Sequence, residues 1–354
     1  MLPVRGRVLC GRSLAQGTLS VPIILSLSCL AICQRIKAEV NRLIAEFNVS
    51  PKLTVIEVGN RSDSALYIES KRRFADQCGV ELAHVHLPPD CTESSLIELV
   101  KQFNTDPTVH GIMIQLPLDS IDPIDVSGPL HSIVAQKDVE GLGYMNTALL
   151  SRENVLFQPG VSPKDYPVHI PCTAAACFAF IRYVDFPLKG SHCVVIGRGR
   201  LVGAPTADLL AGPGCATVTQ CNIHSQNLAE EVSRADLVVA AVGRPALVRG
   251  EWIKPGALVL DCGYTVVQDP LNPAKMTSVG DVSFEEARKR AGWITPVPGG
   301  IGPLNIAMLF RNTVNSARWS VGLQSLLFDS IFTRSSKVHS EVDQYCLERP
   351  LSVS

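Results

Sequence analysis

The sequence predicts an α/β protein of two domains, each built on a parallel sheet with helices covering its faces. Three observations carry this. Short β-branched runs alternate with helical segments in both halves of the chain. A Pro- and Gly-bearing stretch, Gln158 to Pro171, separates the halves. The length of 354 residues, 46% of them hydrophobic and 18% charged, is ample for two cores.

The first half supplies a β-α-β-α-β order. Leu53 to Val58 (LTVIEV) reads as a strand ending at Gly59, and Ser62 to Cys78 as a helix closed by Gly79. Leu82 to Leu87 is a second strand. Thr92 to Phe103 carries Leu96, Leu99 and Val100 at helical spacing. Val109 to Ile114 is a third strand, ended by Gln115-Leu116-Pro117. Such an order implies a parallel sheet. In the second half His192 to Ile196 is a strand, followed by a turn from Gly197 to Gly203 and a helix beginning near Pro205. Strands Ala216 to Cys221, Leu237 to Val242 and Ala257 to Leu260 complete it.

The formal net charge of −1 gives no global drive toward nucleic acid or an anionic membrane. Twelve cysteines are scattered without a C-x-x-C pair, and eight histidines add no zinc pattern, so buried free thiols and no metal are expected. The first 38 residues carry Arg5, Arg7, Arg12, Arg35 and Lys37 and no acidic residue. That composition suits a mitochondrial targeting segment, assigned to residues 1–32. The alternatives are a chain without a cleaved signal, hence cytoplasmic, and a secretory signal with Val21 to Cys33 as its apolar part. Residues 322–354 read as a C-terminal extension without an assigned role.

Three clusters carry chemistry. The run Thr295 to Leu309 (TPVPGGIGPLNIAML) is stiff at its prolines and open at its glycines. It suits a backbone wall against a flat ligand; a domain-crossing loop is the plainer alternative. The turn Gly197-Arg198-Gly199 through Gly203, between a strand and a helix, is an anion cradle. Its spacing misses G-x-G-x-x-G, and any α/β glycine turn looks similar. The region after the next strand, Cys221 to Ser225, lacks the acid an NAD site uses, and Arg198 suits a 2′-phosphate, so NADP is favoured over NAD. Third, Tyr67 and Lys71 lie four apart on one helix face. That helix follows the first strand and Gln115 follows the third, so they converge outside the strands' carboxyl ends. A lysine held there is partly desolvated and can act as a base. The plainer readings are surface neighbours for Tyr67 and Lys71 and a loop amide for Gln115. A short-chain dehydrogenase is excluded, because there the glycine turn precedes the Y-x-x-x-K.

LTVIEVG with Ser64-x-x-Tyr67-x-x-x-Lys71, HGIMIQLPL, QKDVEG with Asn146, PCT, VVIGRGRLVGAPTADLL, GEWIKPGALVLDCG, VGDVSFEEA and TPVPGGIGP occur in one order. From about Cys33 to Arg318 the sequence resembles the bifunctional methylenetetrahydrofolate dehydrogenase/methenyltetrahydrofolate cyclohydrolase family. The resemblance implies a catalytic domain over 33–171 completed by a helix at 304–318, a Rossmann domain over 172–303, and a cleft between them. It implies tetrahydrofolate derivatives in the cleft, NADP or NAD on the Rossmann edge, and a homodimer. It makes Lys71 the principal catalytic residue, with Tyr67 stacking on folate and Gln115 tuning the lysine. Glu140, Pro298, Gly299 and Gly300 would line the folate pocket. Thr173, Gly197, Arg198, Gly199, Gly203 and Ser225 would face the cofactor.

The chain departs from the family pattern at several of these points. Glu140 replaces an aspartate, Gly199 a serine, Ala176 a glycine and Asn305 a threonine. Ile223 stands at the position of a serine unless a two-residue slip brings His224 and Ser225 there. The usual N-terminal I-D-G-K is not recognisable. These departures leave open a folate-binding paralogue with weakened or cyclohydrolase-only activity and a regulatory role.

Overall fold

The computed structural model describes residues 21–152, 169–269 and 272–324, with 326, 328 and 331. Residues 1–20, most of the Gln158–Pro171 stretch and most of the C-terminal extension lie outside them.

The first sheet contains β1 (Lys52–Val58), β2 (Glu81–Leu87) and β3 (Gly111–Ile114), all parallel, in the order β2-β1-β3. In central β1 every residue after Lys52 is buried, which is why LTVIEV shows no alternation. The crossovers are α2 (Ser62–Cys78) and α3 (Glu93–Thr105). α2 stops where Gly79 takes a left-handed φ of 68° and donates its N–H to Ala75. α3 starts in a capping box, in which Thr92 and Ser95 each accept the other's backbone N–H. The expected β-α-β-α-β order is present. β3 begins at Gly111 and not at Val109, because Val109 closes a turn onto Asp106.

The second sheet contains β4 (His192–Ile196), β5 (Thr217–Cys221), β6 (Leu237–Ala240), β7 (Leu258–Asp261) and β10 (Trp293–Ile294). Its order is β10-β7-β6-β4-β5, again parallel. β10, two residues long, gives no periodicity to read. A separate antiparallel hairpin of β8 (Thr265–Asp269) and β9 (Asn272–Val279) follows β7. Helices α4 (Ser127–Ser132), α5 (Tyr144–Arg152), α6 (Cys172–Tyr183), α7 (Gly203–Ala211), α8 (Leu228–Arg234) and α9 (Phe284–Ala287) fill the connections.

One boundary read from sequence is corrected. The first domain does not begin at Cys33: α1 (Val21–Phe47) buries Cys29 and Ile32 fully, in one core with Ile36 and Val40. The last helix, α10 (Ile301–Ser320), returns to the first domain and packs on α1, α2, α6, β1 and β3. A buried ion pair, Arg311 Nε to Glu39 Oε2 at 2.8 Å, fixes α10 to α1. Both sheets reverse strand direction of growth beside their first strand. Ligand sites sit at such switch points, between β1 and β3 and between β4 and β6.

Candidate active site

Lys71 lies on α2, one turn after Tyr67, and is 6% exposed. Its Nζ donates to Gln115 Oε1 at 2.7 Å. Gln115 follows β3 and is held twice, its backbone N–H on Ile56 O at 2.8 Å and its Nε2 on Leu116 O at 2.8 Å. The second bond turns Oε1 toward the lysine. Nζ also lies 5.8 Å from the centre of the Tyr67 ring, within cation–π range. Burial disfavours the ammonium and lowers the pKa of Lys71; the charges of Glu140 and Cys172 act the other way. The first-sheet residues are brought together as the sequence predicts.

Glu140 reaches this cluster from a segment laid along β3. Ile112 donates to Lys137 O at 2.8 Å, and Ile112 and Asp138 form a single parallel bridge. Buried Asp138 shapes the next turn: it accepts the N–H groups of Leu142 (3.2 Å) and Gly143 (2.7 Å) and the amide of Asn146 (2.8 Å). Asn312 of α10 donates to Val139 O at 2.9 Å and Ile170 O at 3.2 Å, tying the residue before Glu140 and the stretch of chain entering α6 to α10. Desolvation raises the Glu140 carboxyl to about 7, against the opposing charge of Lys71. Burial thus pushes the amine down and the carboxyl up, while the charge of each favours the ionised form of the other.

The second half of the site is backbone. Gly197 follows β4 with φ 112°, and a Cβ there would lie 2.1 Å from Ala241 O at the end of β6. A Cβ on Gly203 would lie 2.2 Å from Gly197 O. Only glycine closes this turn. α7 starts at Gly203 without a side-chain cap, so no side chain of its N-cap residue takes its first N–H groups. Arg198 and Gly199 are exposed beside it. Ser225 lies in the turn after neighbouring β5, its Oγ accepting the Asn222 N–H at 2.8 Å, while Ile223 is 84% exposed. Thr173, on the first turn of α6, accepts the amide of Asn305 from α10 at 3.0 Å. Asn305 thus reaches Thr173 directly. Exposed Pro298, Gly299 (φ 100°) and buried Gly300 form the approach to α10.

The two halves face each other. Arg200 Nη1 donates to Ser127 Oγ at 2.7 Å across the gap. An open cavity of about 540 Å³ lies between Leu116, Pro117, Leu118 and Val126 on one side and Leu201 on the other. Sequence reasoning missed two buried aspartates that brace the second sheet's edge. Asp261 accepts the N–H groups of Gly263 (2.9 Å), Asp281 (3.0 Å) and Val282 (2.9 Å), and burial raises it to about 6. Asp281 accepts those of Val242 (2.7 Å), Gly243 (3.0 Å) and Arg244 (2.8 Å). Their signal was the pairing of each with a glycine, in DCG and VGD.

Residues 27–140 match the catalytic-domain model of tetrahydrofolate dehydrogenase/cyclohydrolase, and residues 171–321 match its NAD(P)-binding-domain model. Human cytoplasmic C-1-tetrahydrofolate synthase is 42% identical over 285 residues, covering 80% of this chain but 29% of that protein, so the chain spans less than a third of such relatives. The bifunctional protein FolD of Gluconobacter oxydans is 40% identical over 289 residues, covering 81% of this chain and 89% of that one. The Trypanosoma brucei methylenetetrahydrofolate dehydrogenase-cyclohydrolase, solved with NADP and an inhibitor, superposes with a TM-score of 0.74 at 37% identity, covering 86% and 98% of the two chains. The bifunctional FolD of Campylobacter jejuni gives 0.73 at 34% identity, covering 82% and 98%. With both domains matched in order on one two-sheet architecture, the chain belongs to the tetrahydrofolate dehydrogenase/cyclohydrolase family.

Proposed function

We propose that this chain oxidises 5,10-methylenetetrahydrofolate with NADP and hydrolyses the resulting 5,10-methenyltetrahydrofolate to 10-formyltetrahydrofolate, two steps of one-carbon metabolism. The buried contact between Lys71 and Gln115, opposite the glycine turn, carries this reading.

Tyr67 presents a ring face to the pteridine, Glu140 a carboxyl to its polar edge, and Pro298, Gly299 and Gly300 a backbone wall. NADP fits the second half: Gly197 and Gly203 leave a cradle that a Cβ would fill. Thr173, Arg198, Gly199 and Ser225 complete that side. Arg198 suits the 2′-phosphate and the turn after β5 holds no carboxylate, which makes NAD the poorer partner. Bound NADP accepts the hydride from the one-carbon bridge. The residues contribute alignment to that step, since little proton movement is needed. The methenyl product is a cation, and water adds to its one-carbon carbon. Neutral Lys71 takes one proton from that water and returns it to the folate nitrogen as the C–N bond breaks, while the remaining hydroxyl proton leaves to solvent as the formyl C=O forms. Gln115 holds the amine in place for both transfers. The paralogue with weakened or cyclohydrolase-only activity has no observation in its favour, because the lysine cluster and the cradle are both formed.

The test is direct. Purified protein should form methenyltetrahydrofolate from methylenetetrahydrofolate faster with NADP than with NAD, and should consume added methenyltetrahydrofolate without any dinucleotide. Folded protein inactive in both assays would remove the reading.

A homodimer is part of the proposal. Among the described residues the β8–β9 hairpin pairs only with itself, and it leaves Val266 44% and Met276 56% exposed. Such ribbons are marginal alone, and a second copy would cover it. Light scattering that gives a monomer would oppose this. Mitochondrial import is proposed from the acid-free, arginine-bearing first 38 residues. Fractionation of cells expressing the full chain would test it.

A further inference from the structure

Tyr264 is an aromatic side chain that the reading above leaves without a task. It belongs to the second domain, between β7 and β8, yet its ring meets Tyr67 of α2 with centroids 5.4 Å apart and planes 64° apart. Both rings stay open to solvent, Tyr264 at 44% and Tyr67 at 36%. The Tyr67 ring is the one beside the Lys71 amine. Two large rings from opposite domains therefore form a corner next to the reactive group.

The base under Tyr264 is rigid. Cys262 donates its N–H to Ala240 O at 2.9 Å, and Gly263 donates to Asp261 Oδ1 at 2.9 Å. A Cβ on Gly263 would lie 2.3 Å from Asp281 Oδ1, so the backbone rests directly on that carboxyl. Moving this segment would disturb both aspartate networks. A partly exposed aromatic on a fixed base is a stacking surface in waiting.

We propose that Tyr264 is the second aromatic wall of the folate pocket, so that a planar ring lying on Tyr67 is also held by a residue of the cofactor-binding domain. The ligand is the pteridine and not the nicotinamide, because the ring Tyr264 touches belongs to the lysine side of the cleft. The assignment rests on the folate reading above. It makes folate affinity depend on a side chain outside the first domain.

The experiment titrates full-length protein with tetrahydrofolate and, separately, with NADP. Tyr264→Ala should weaken tetrahydrofolate binding about three- to tenfold, in the range of an aromatic pair, and leave NADP binding within about twofold. Tyr264→Phe should restore parental affinity. Tyr264→Leu, which keeps apolar bulk without the ring, should fall between them and serves if the alanine variant does not fold. Parental tetrahydrofolate affinity in the alanine or leucine variant would overturn the proposal. Loss of NADP affinity with tetrahydrofolate binding unchanged would overturn it too, assigning the ring to the dinucleotide. Parental protein that fails to bind tetrahydrofolate would bring down the functional reading first, in the same titration.

Discussion

The two halves of the site are made of different material. On the first sheet the chemistry sits in buried side chains: Lys71 and Gln115 are each 6% exposed, and every polar atom in their contact has a named partner. On the second sheet the anion cradle is backbone, closed by Gly197 and Gly203, with its flanking side chains in water. A dry side-chain cluster depends on the identity of each residue, because an unpaired polar group there is costly. A backbone cradle depends on shape at two points and tolerates change elsewhere. Several departures from the family pattern, Gly199 and Ile223 among them, fall on the tolerant half.

The largest expected effect is on the dry half. Lys71→Ala should lower cyclohydrolase turnover by about a hundredfold or more, the usual worth of a general base, while the NADP dissociation constant stays unchanged. Circular dichroism would confirm the fold. Parental turnover in a folded variant would show that the lysine is only structural.

The counterpart on the backbone half is Gly203→Ala. Its methyl would sit 2.2 Å from Gly197 O, and the turn must shift. A displacement of ~1 Å can cost ~100-fold, so dehydrogenase activity with NADP should fall by about ten- to a hundredfold. Cyclohydrolase activity should hold. An equal loss of both would mean that the two halves are not separable.

The dry half was legible in the sequence because helix and strand order alone brings Tyr67, Lys71 and Gln115 to one sheet edge. The cradle was legible from its place between a strand and a helix, despite its irregular spacing. What stayed hidden depends on tertiary contact. Residues 1–32 suit a targeting segment by composition, and only packing shows that Cys29 and Ile32, at its end and within α1, belong to the core. Asp261 and Asp281 bond backbone N–H groups from segments distant in sequence. The contact between Tyr67 and Tyr264 spans 197 positions, the difference between their numbers, and no periodicity reports on it.

A smaller effect should appear in the pH profile. The Glu140 carboxylate favours the charged form of Lys71. Glu140→Gln removes that charge, so Lys71 should lose its proton at lower pH. If the neutral amine is the active form, the rising limb of the cyclohydrolase profile should move down by about one unit, the low end for an adjacent charge. A limb that moves up, or stays fixed, would mean that the carboxylate does not face the amine in the working enzyme.

The smallest effect gives the sharpest view of the contrast. Gly199 lies in the same turn as Gly203, yet an added Cβ would meet nothing within 4 Å. Gly199→Ser should therefore fold without strain and return a hydroxyl to the exposed rim of the cradle. One hydrogen bond to a phosphate oxygen is worth ~0.5–1.5 kcal/mol, so the NADP dissociation constant should fall by about two- to tenfold. Cyclohydrolase turnover should not change. An unchanged constant would mean that the turn's N–H groups and Arg198 already satisfy the phosphate, leaving a side chain at position 199 nothing to add.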